Sequence, residues 1–204
     1  MTPINSGDYP AGKPARDVLL GGLGFDASGH RGGGVNSPIT VTLPTGALLL
    51  RLHKKTEPGE RSGEFGAWWF TAHEFDRISS YFGVSWDLLI QDRQKGRSML
   101  HGVLALLSEW YGGSAGQIGL VKVVRLKSPL LALYGEGAPA NAAGYDRTLK
   151  PVTLQDGKTA RQIYIHQCWD YSAAMVPVGG NGNYPVDDLP KVVATASWSK
   201  LPFE

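Results

Sequence analysis

Arg51 and His53 stand two residues apart in Leu48-Leu-Leu-Arg-Leu-His53. In an extended strand, side chains two apart leave the same face. Leu49 shares that face, while Leu48, Leu50 and Leu52 form the other, which reads as core. A glycine-punctuated aromatic stretch follows, Gly63-Glu-Phe-Gly-Ala-Trp-Trp-Phe-Thr71. Polar groups on a strand rim beside an aromatic wall suit a flat, charged ligand such as a nicotinamide dinucleotide.

Other chemistries lack their residues. The five histidines include no pair with an acid or a second histidine on one helix face, so no zinc hydrolase site is expected. No Gly-x-Ser-x-Gly elbow and no Gly-Lys-Ser/Thr phosphate loop occurs. The single cysteine, Cys168, excludes an internal disulfide, and its apolar surroundings suggest a buried, inert thiol. A net charge of +2 gives no strong field toward bulk nucleic acid or membrane. No apolar run is long enough for a membrane span, and the first residues show no leader pattern. These features predict a soluble chain made in the cytoplasm, with export by a leaderless route left open.

The elements that must position these residues can be read from periodicity. Residues 1–38 form a Gly/Pro-rich arm, in which Gly21 to Gly34 is too glycine-rich for a helix. Ile39 to Leu43 and Ala47 to His53 alternate as strands around the turn Pro44-Thr-Gly46. Gly66 to Phe70 is a short strand. Thr71 can then cap a helix, with Glu74 at the capping-box position, that runs to about Tyr81 and buries Phe75 and Ile78. Ser98 to Tyr111 has the pattern of a core helix. Strands are expected at Gly119–Leu126, Pro129–Tyr134, Arg161–Trp169 and Val192–Trp198. Strands without regularly alternating helices predict an α+β domain over 39–204, with a split, twisted β-core flanked by helices.

The order of these segments resembles the ADP-ribosyltransferase superfamily, in its poly(ADP-ribose) polymerase-like and toxin-like branches. The resemblance rests on three segments across residues 47–170. They are Leu50-Arg-Leu-His53, then Gly66-Ala-Trp-Trp-Phe-Thr-Ala with the helix ending at Tyr81, then Gln162-Ile-Tyr-Ile. It implies NAD as substrate and transfer of ADP-ribose to a macromolecule, or NAD hydrolysis. His53 would then bond the ribose hydroxyls. Arg51 would meet the phosphates, for which its planar fork is suited. Trp69 would stack on the nicotinamide, with Ser62 or Thr71 and Tyr81 supporting the site. The family's third segment begins with a glutamate, whereas this chain has Gln162. Either a carboxylate comes from Glu136, Asp146 or Asp170 to act with Gln162 at the transition state, or the neutral Gln162 suffices there, or the domain binds without catalysing. Toxin, injected effector and phage-encoded modifier all fit such an enzyme, and a neutralising partner protein would accompany a toxin.

Two other functions fit the same residues. A non-catalytic β-rich module could use Trp68, Trp69 and Trp86 to bind a sugar, nucleotide or protein. A nucleotide- or RNA-processing enzyme on a related fold could grip phosphate with Arg51, His53, Lys54 and Lys55.

Overall fold

The computed structural model describes residues 1–23, 34–53, 65–82, 92–94, 97–98, 120–138, 140–141, 148–149, 153–185 and 188–204. In chain order the elements are α1 (Ala15–Leu23), β1 (Val35–Leu43), β2 (Leu48–His53), β3 (Trp68–Thr71), α2 (Ala72–Phe82), β4 (Asp92–Gln94), β5 (Arg97–Ser98), β6 (Leu120–Leu126) and β7 (Leu130–Gly137). They continue with β8 (Ala140–Asn141), β9 (Thr148–Leu149), β10 (Arg161–Tyr164), β11 (Met175–Pro177), β12 (Asn183–Pro185) and α3 (Leu189–Thr195). Short 3-10 turns occupy Ser6–Asp8 and Cys168–Ala174.

Two long bent strands organise the sheet. β1 and β2 are one extended run broken at Pro44–Gly46, where Gly46 takes a φ of 86° that a side chain would disfavour. β6 and β7 are a second run, broken at 127–129. β1 pairs antiparallel with β7, and β2 with β6. The ladder passes through the bend, because Gly46 N–H donates to Leu126 O at 2.7 Å and Leu126 N–H donates to Ala47 O at 3.0 Å.

β3 joins the halves on the other side. Trp68 and Trp69 pair with Tyr164 and Ile163 of β10, whereas Phe70 and Thr71 pair with Leu50 and Leu49 of β2. The eight-stranded sheet therefore runs β1-β7-β10-β3-β2-β6-β11, with β12 also on β6. β4 with β5, and β8 with β9, form two small separate ladders.

Folding the sheet at this corner creates an interior between its halves. Leu43, Leu130 and Tyr134 from one half meet Leu49, Val124 and Leu126 from the other around Trp69. The two outer faces are covered separately. Phe75 and Ile78 of α2, with Leu189 and Val192 of α3, cover Leu48, Leu50, Leu52, Val121 and Val123. Val18 and Leu19 of α1 cover Val35, Leu133 and Tyr164. The chain is a single α+β domain with a split β-core between helices, as the strand pattern predicts.

Several expectations about elements are met and three are corrected, the first being the strand expected over Arg161–Trp169, which stops at Tyr164 ahead of the 3-10 turn at Cys168–Ala174. Thr71 does cap α2, accepting a bond from Glu74 N–H at 3.1 Å. The stretch expected as a last strand, Val192–Trp198, begins instead inside α3. Valine pairs suggest a strand, but Leu189, Val192, Val193 and Ala196 repeat at helical spacing toward the core, and a proline sits in the first turn. The amino-terminal arm is also more ordered than its composition suggests. α1 extends into the glycine run as far as Leu23, and β1 begins at Val35, inside the arm. Packing of Val18 and Leu19 overrides the glycine penalty at the helix end. The expected helix at Ser98–Tyr111 and the segment around Trp86 lie outside the described residues.

Candidate functional site

The interior face carries a basic cluster at one end. Period-two alternation sets Arg51 and His53 on the same side of β2 as the core residue Leu49. The same rule sets Lys122 beside Val124 on β6. In register, Lys122 stands directly opposite Arg51 on one neighbouring strand and Asn183 of β12 on the other. His53 Nε2 lies 3.3 Å from Asn183 Oδ1. Lys122 and His53 are buried, at 2% and 3% exposure, so two of the three basic groups are almost out of water.

Lys122 Nζ donates to Asn181 O at 2.7 Å and lies 5.0 Å from the centre of the Phe65 ring. That geometry is a cation–π contact. Phe65 packs edge-on to Trp169, with ring centres 5.7 Å apart at 71°. Trp169 is partly open to solvent, so the aromatic pair lies between the buried cations and the surface.

Arg51 reaches across to the end of β3. Its Nη1 donates to Trp68 O at 2.9 Å. A Cβ placed on Gly66 would sit 2.1 Å from Arg51 Nη2, so the missing side chain is what lets the guanidinium lie there. Gly66→Ala should therefore push the Arg51 head off Trp68 O while leaving the fold close to wild type, since the displaced atoms end a flexible side chain. Thermal unfolding should change little. Any ligand affinity that depends on Arg51 should fall about as far as in Arg51→Ala, and an unchanged affinity would show that the position of Arg51 does not matter.

Arg51 and Lys122 stand opposite each other on β2 and β6, and Lys122 is almost wholly buried. An oxyanion is the ligand that these side-chain types suit: the arginine supplies a planar fork, the lysine a point charge, and Asn183 and His53 further hydrogen-bonding groups.

The remaining expected site residues are dispersed. Trp69 is fully buried at the centre of the interior core and donates through Nε1 to Cys168 Sγ at 3.2 Å. No ring face is left for a nicotinamide, which corrects its expected stacking role. Gln162 lies on the outer face of the sheet with Tyr164, and its Nε2 would be 3.0 Å from a Cβ on Gly137. It does not share a site with Arg51 and His53, because β10 turns its interior side toward the core through Arg161 and Ile163.

Thr71 and Glu136 lie away from the basic cluster, on β3 and β7 with β10 between them. Thr71 pairs with Leu49, two positions before Arg51 on β2. Glu136 stands opposite Arg161 and accepts a bond from Thr159 N–H at 3.3 Å. The length of β3 separates Thr71 from the basic cluster by about 10 Å of strand. Asp170 is exposed, in the turn just after Trp169. The side chain of Tyr81, together with Asp146, Ser62, Lys54 and Lys55, lies outside the described residues.

Sequence reasoning missed Lys122 and Asn183. A signal for Lys122 was present. A lysine inside Leu-Val-Lys-Val-Val, on the face of Val124 and Leu126, must be buried or at an opening. Asn183 carried no such signal, since the run Gly179-Gly-Asn-Gly-Asn183 reads as a loop in sequence although the structure starts β12 at Asn183. Cys168 behaves as expected. Burial pushes its thiol up to about 12, against smaller downward pulls from the Trp69 indole and the Arg51 charge. Among the described residues there is no group of three or more metal-ligating side chains, and no helix is long and apolar enough to cross a membrane.

No protein-family model matches the chain, and no curated protein does. Among solved structures it is similar to Rhs1-CT in complex with its cognate immunity protein RhsI1. The identity is 15%, over 74% of this chain and 82% of that one, with a TM-score of 0.41. A likeness of that size carries no argument about function.

Proposed function

We propose that the chain binds NAD through the Arg51–Lys122–His53 cluster and cleaves its nicotinamide–ribose bond, passing ADP-ribose to a macromolecular acceptor or to water. The observation that carries the proposal is the gathering of three basic side chains on two adjacent strands, Arg51 and His53 of β2 and Lys122 of β6, beside the Phe65–Trp169 pair. Arg51 and Lys122 would hold the pyrophosphate and His53 a ribose hydroxyl. The aromatic pair at the mouth would take the stacking role that Trp69 cannot. The breaking bond leaves its electron pair on the nicotinamide nitrogen, and the acceptor attacks the anomeric carbon and loses a proton. Of the carboxylates considered from the sequence, Asp170 is adjacent in the chain to this aromatic wall.

Consumption of NAD or marking of a macromolecule would harm a cell, which fits a toxin or effector. A neutralising protein partner would then be expected to cover the mouth at Trp169. The test is incubation of purified protein with labelled NAD, following nicotinamide release and label transfer to a lysate. Arg51→Ala and Lys122→Met should each weaken NAD binding by about 10–100-fold, the worth of a charge-assisted contact. Their circular dichroism should stay native. Unchanged binding in both would remove the assignment, and Asp170→Asn with full activity would make that carboxylate a spectator.

A second reading is favoured by the pairing of Arg51 with Lys122, which suits phosphates in general and not those of NAD alone. On this reading the cluster holds the phosphates of another nucleotide or of RNA. Affinity for a short RNA that exceeds that for NAD and falls steeply with salt would select it.

A further inference from the structure

The opposite end of the interior is closed by residues 201–204, and the manner of closure points to a second site. Leu201 joins the interior core, and Phe203 packs on Tyr134 with ring centres 4.7 Å apart. The Glu204 side chain turns toward Thr71 and back onto its own chain. The Thr71 hydroxyl donates to Glu204 Oε1 while accepting from Glu74 N–H. Leu201 N–H donates to Glu204 Oε2 at 2.7 Å.

The surroundings hold more recognition capacity than Glu204 uses. The Tyr134 hydroxyl, on a residue that is 7% exposed, finds no hydrogen-bond partner among the described residues. Arg161 shares the interior face and stands close enough to pull the Tyr134 pKa down, without the geometry of a bond. Burial is the larger influence and pushes that hydroxyl up to about 12, so it remains a donor at neutral pH. A buried, unpartnered donor is unusual in a folded protein. Here it lies beside a hydroxyl donor, a guanidinium and a carboxylate.

We propose that Thr71, Tyr134 and Arg161 form a binding site for a compact oxyanion, a carboxylate or a phosphate, and that the Glu204 side chain occupies it from within the chain. Thr71 supplies one donor, and Tyr134 supplies a donor that a ligand oxygen placed slightly differently from Glu204 would satisfy. Arg161 supplies the opposite charge. The site shares no residue with the Arg51 cluster and stands or falls independently of the NAD reading.

The test is chemical rescue in the full chain. Glu204→Ala empties the site, and Glu204→Gln keeps it filled with a neutral amide. Thermal unfolding is followed in sodium acetate, in inorganic phosphate and in sodium chloride at equal ionic strength. The expected result is a saturable rise in Tm for Glu204→Ala in acetate or phosphate beyond that in chloride. Wild type and Glu204→Gln should show none. The better anion of the two identifies the ligand source. Should Glu204→Ala fail to fold in chloride, refolding yield replaces Tm as the readout, and recovery in acetate or phosphate supports the site. Equal behaviour of Glu204→Ala in all three salts, by either readout, overturns the proposal and leaves residues 201–204 as packing alone.

Discussion

Trp69→Ala should destabilise the protein by about 3–5 kcal/mol, as large aromatic truncations in cores do. Trp69 is completely buried between the halves of the sheet. Residues of β1, β2, β6, β7 and β10 belong to the same interior cluster, so the cavity would open where the elements meet and could not collapse from one side. The indole N–H would also be lost from Cys168 Sγ, a weak acceptor, which adds little to the total. Denaturant unfolding measures the effect directly through its midpoint. Trp69→Phe should recover much of the loss by refilling most of the volume. If Trp69→Ala unfolds within about 1 kcal/mol of wild type yet loses nucleotide binding, the tryptophan is a ligand wall after all and the core assignment fails.

That outcome bears on what the sequence discloses. Alternation in Leu48–His53 correctly separates the two faces, because side-chain period in a strand is geometric and needs no tertiary knowledge. Thr71 and Glu74 likewise mark the start of α2 locally, through a cap that the next three residues complete. Both faces of β2 are nevertheless buried at Leu48, Leu49 and Leu50, since the sheet folds back over one face while helices cover the other. Alternation identifies a face and not what covers it, so Trp69, on the same side as the interior core, resembles a site residue in sequence.

The partners of Arg51 show a different limit. Lys122 and Asn183 are distant in sequence and meet Arg51 only through the pairing of β2, β6 and β12. Gln162 shows the reverse. Its place after Arg51 and His53 in chain order fits a three-segment motif, but strand order and facing put it on the outer side. Facing depends on parity relative to the core, and Ile163 rather than Gln162 has the core parity.

Glu74→Ala should cost about as much as the loss of Trp69, about 3–5 kcal/mol, by a different route. Glu74 is 1% exposed. Its carboxylate accepts Arg77 Nη2 at 2.6 Å, Arg77 Nε at 3.1 Å and the backbone N–H of Arg161 at 2.8 Å. The same carboxylate thus ties α2 to β10. Burial of Arg77 works against its charge, but the bonds and charge of Glu74, with Asp156, outweigh that and hold its pKa above the ordinary value. Removing Glu74 leaves a half-buried guanidinium with its Asp156 contact at 2.7 Å and its Thr159 O contact at 2.8 Å, and strands the Arg161 N–H. Breaking one partner of a buried pair is expensive for this reason, although the intact pair contributes far less. Replacing both residues should therefore be milder than replacing one. Glu74→Leu with Arg77→Met should recover at least half of what Glu74→Ala loses, because the half-buried guanidinium, left with only Asp156 and Thr159 O, disappears with its main partner. A double variant as unstable as the sum of the two single ones would mean that the pair itself, and not the loss of one of its members, holds α2 against the sheet.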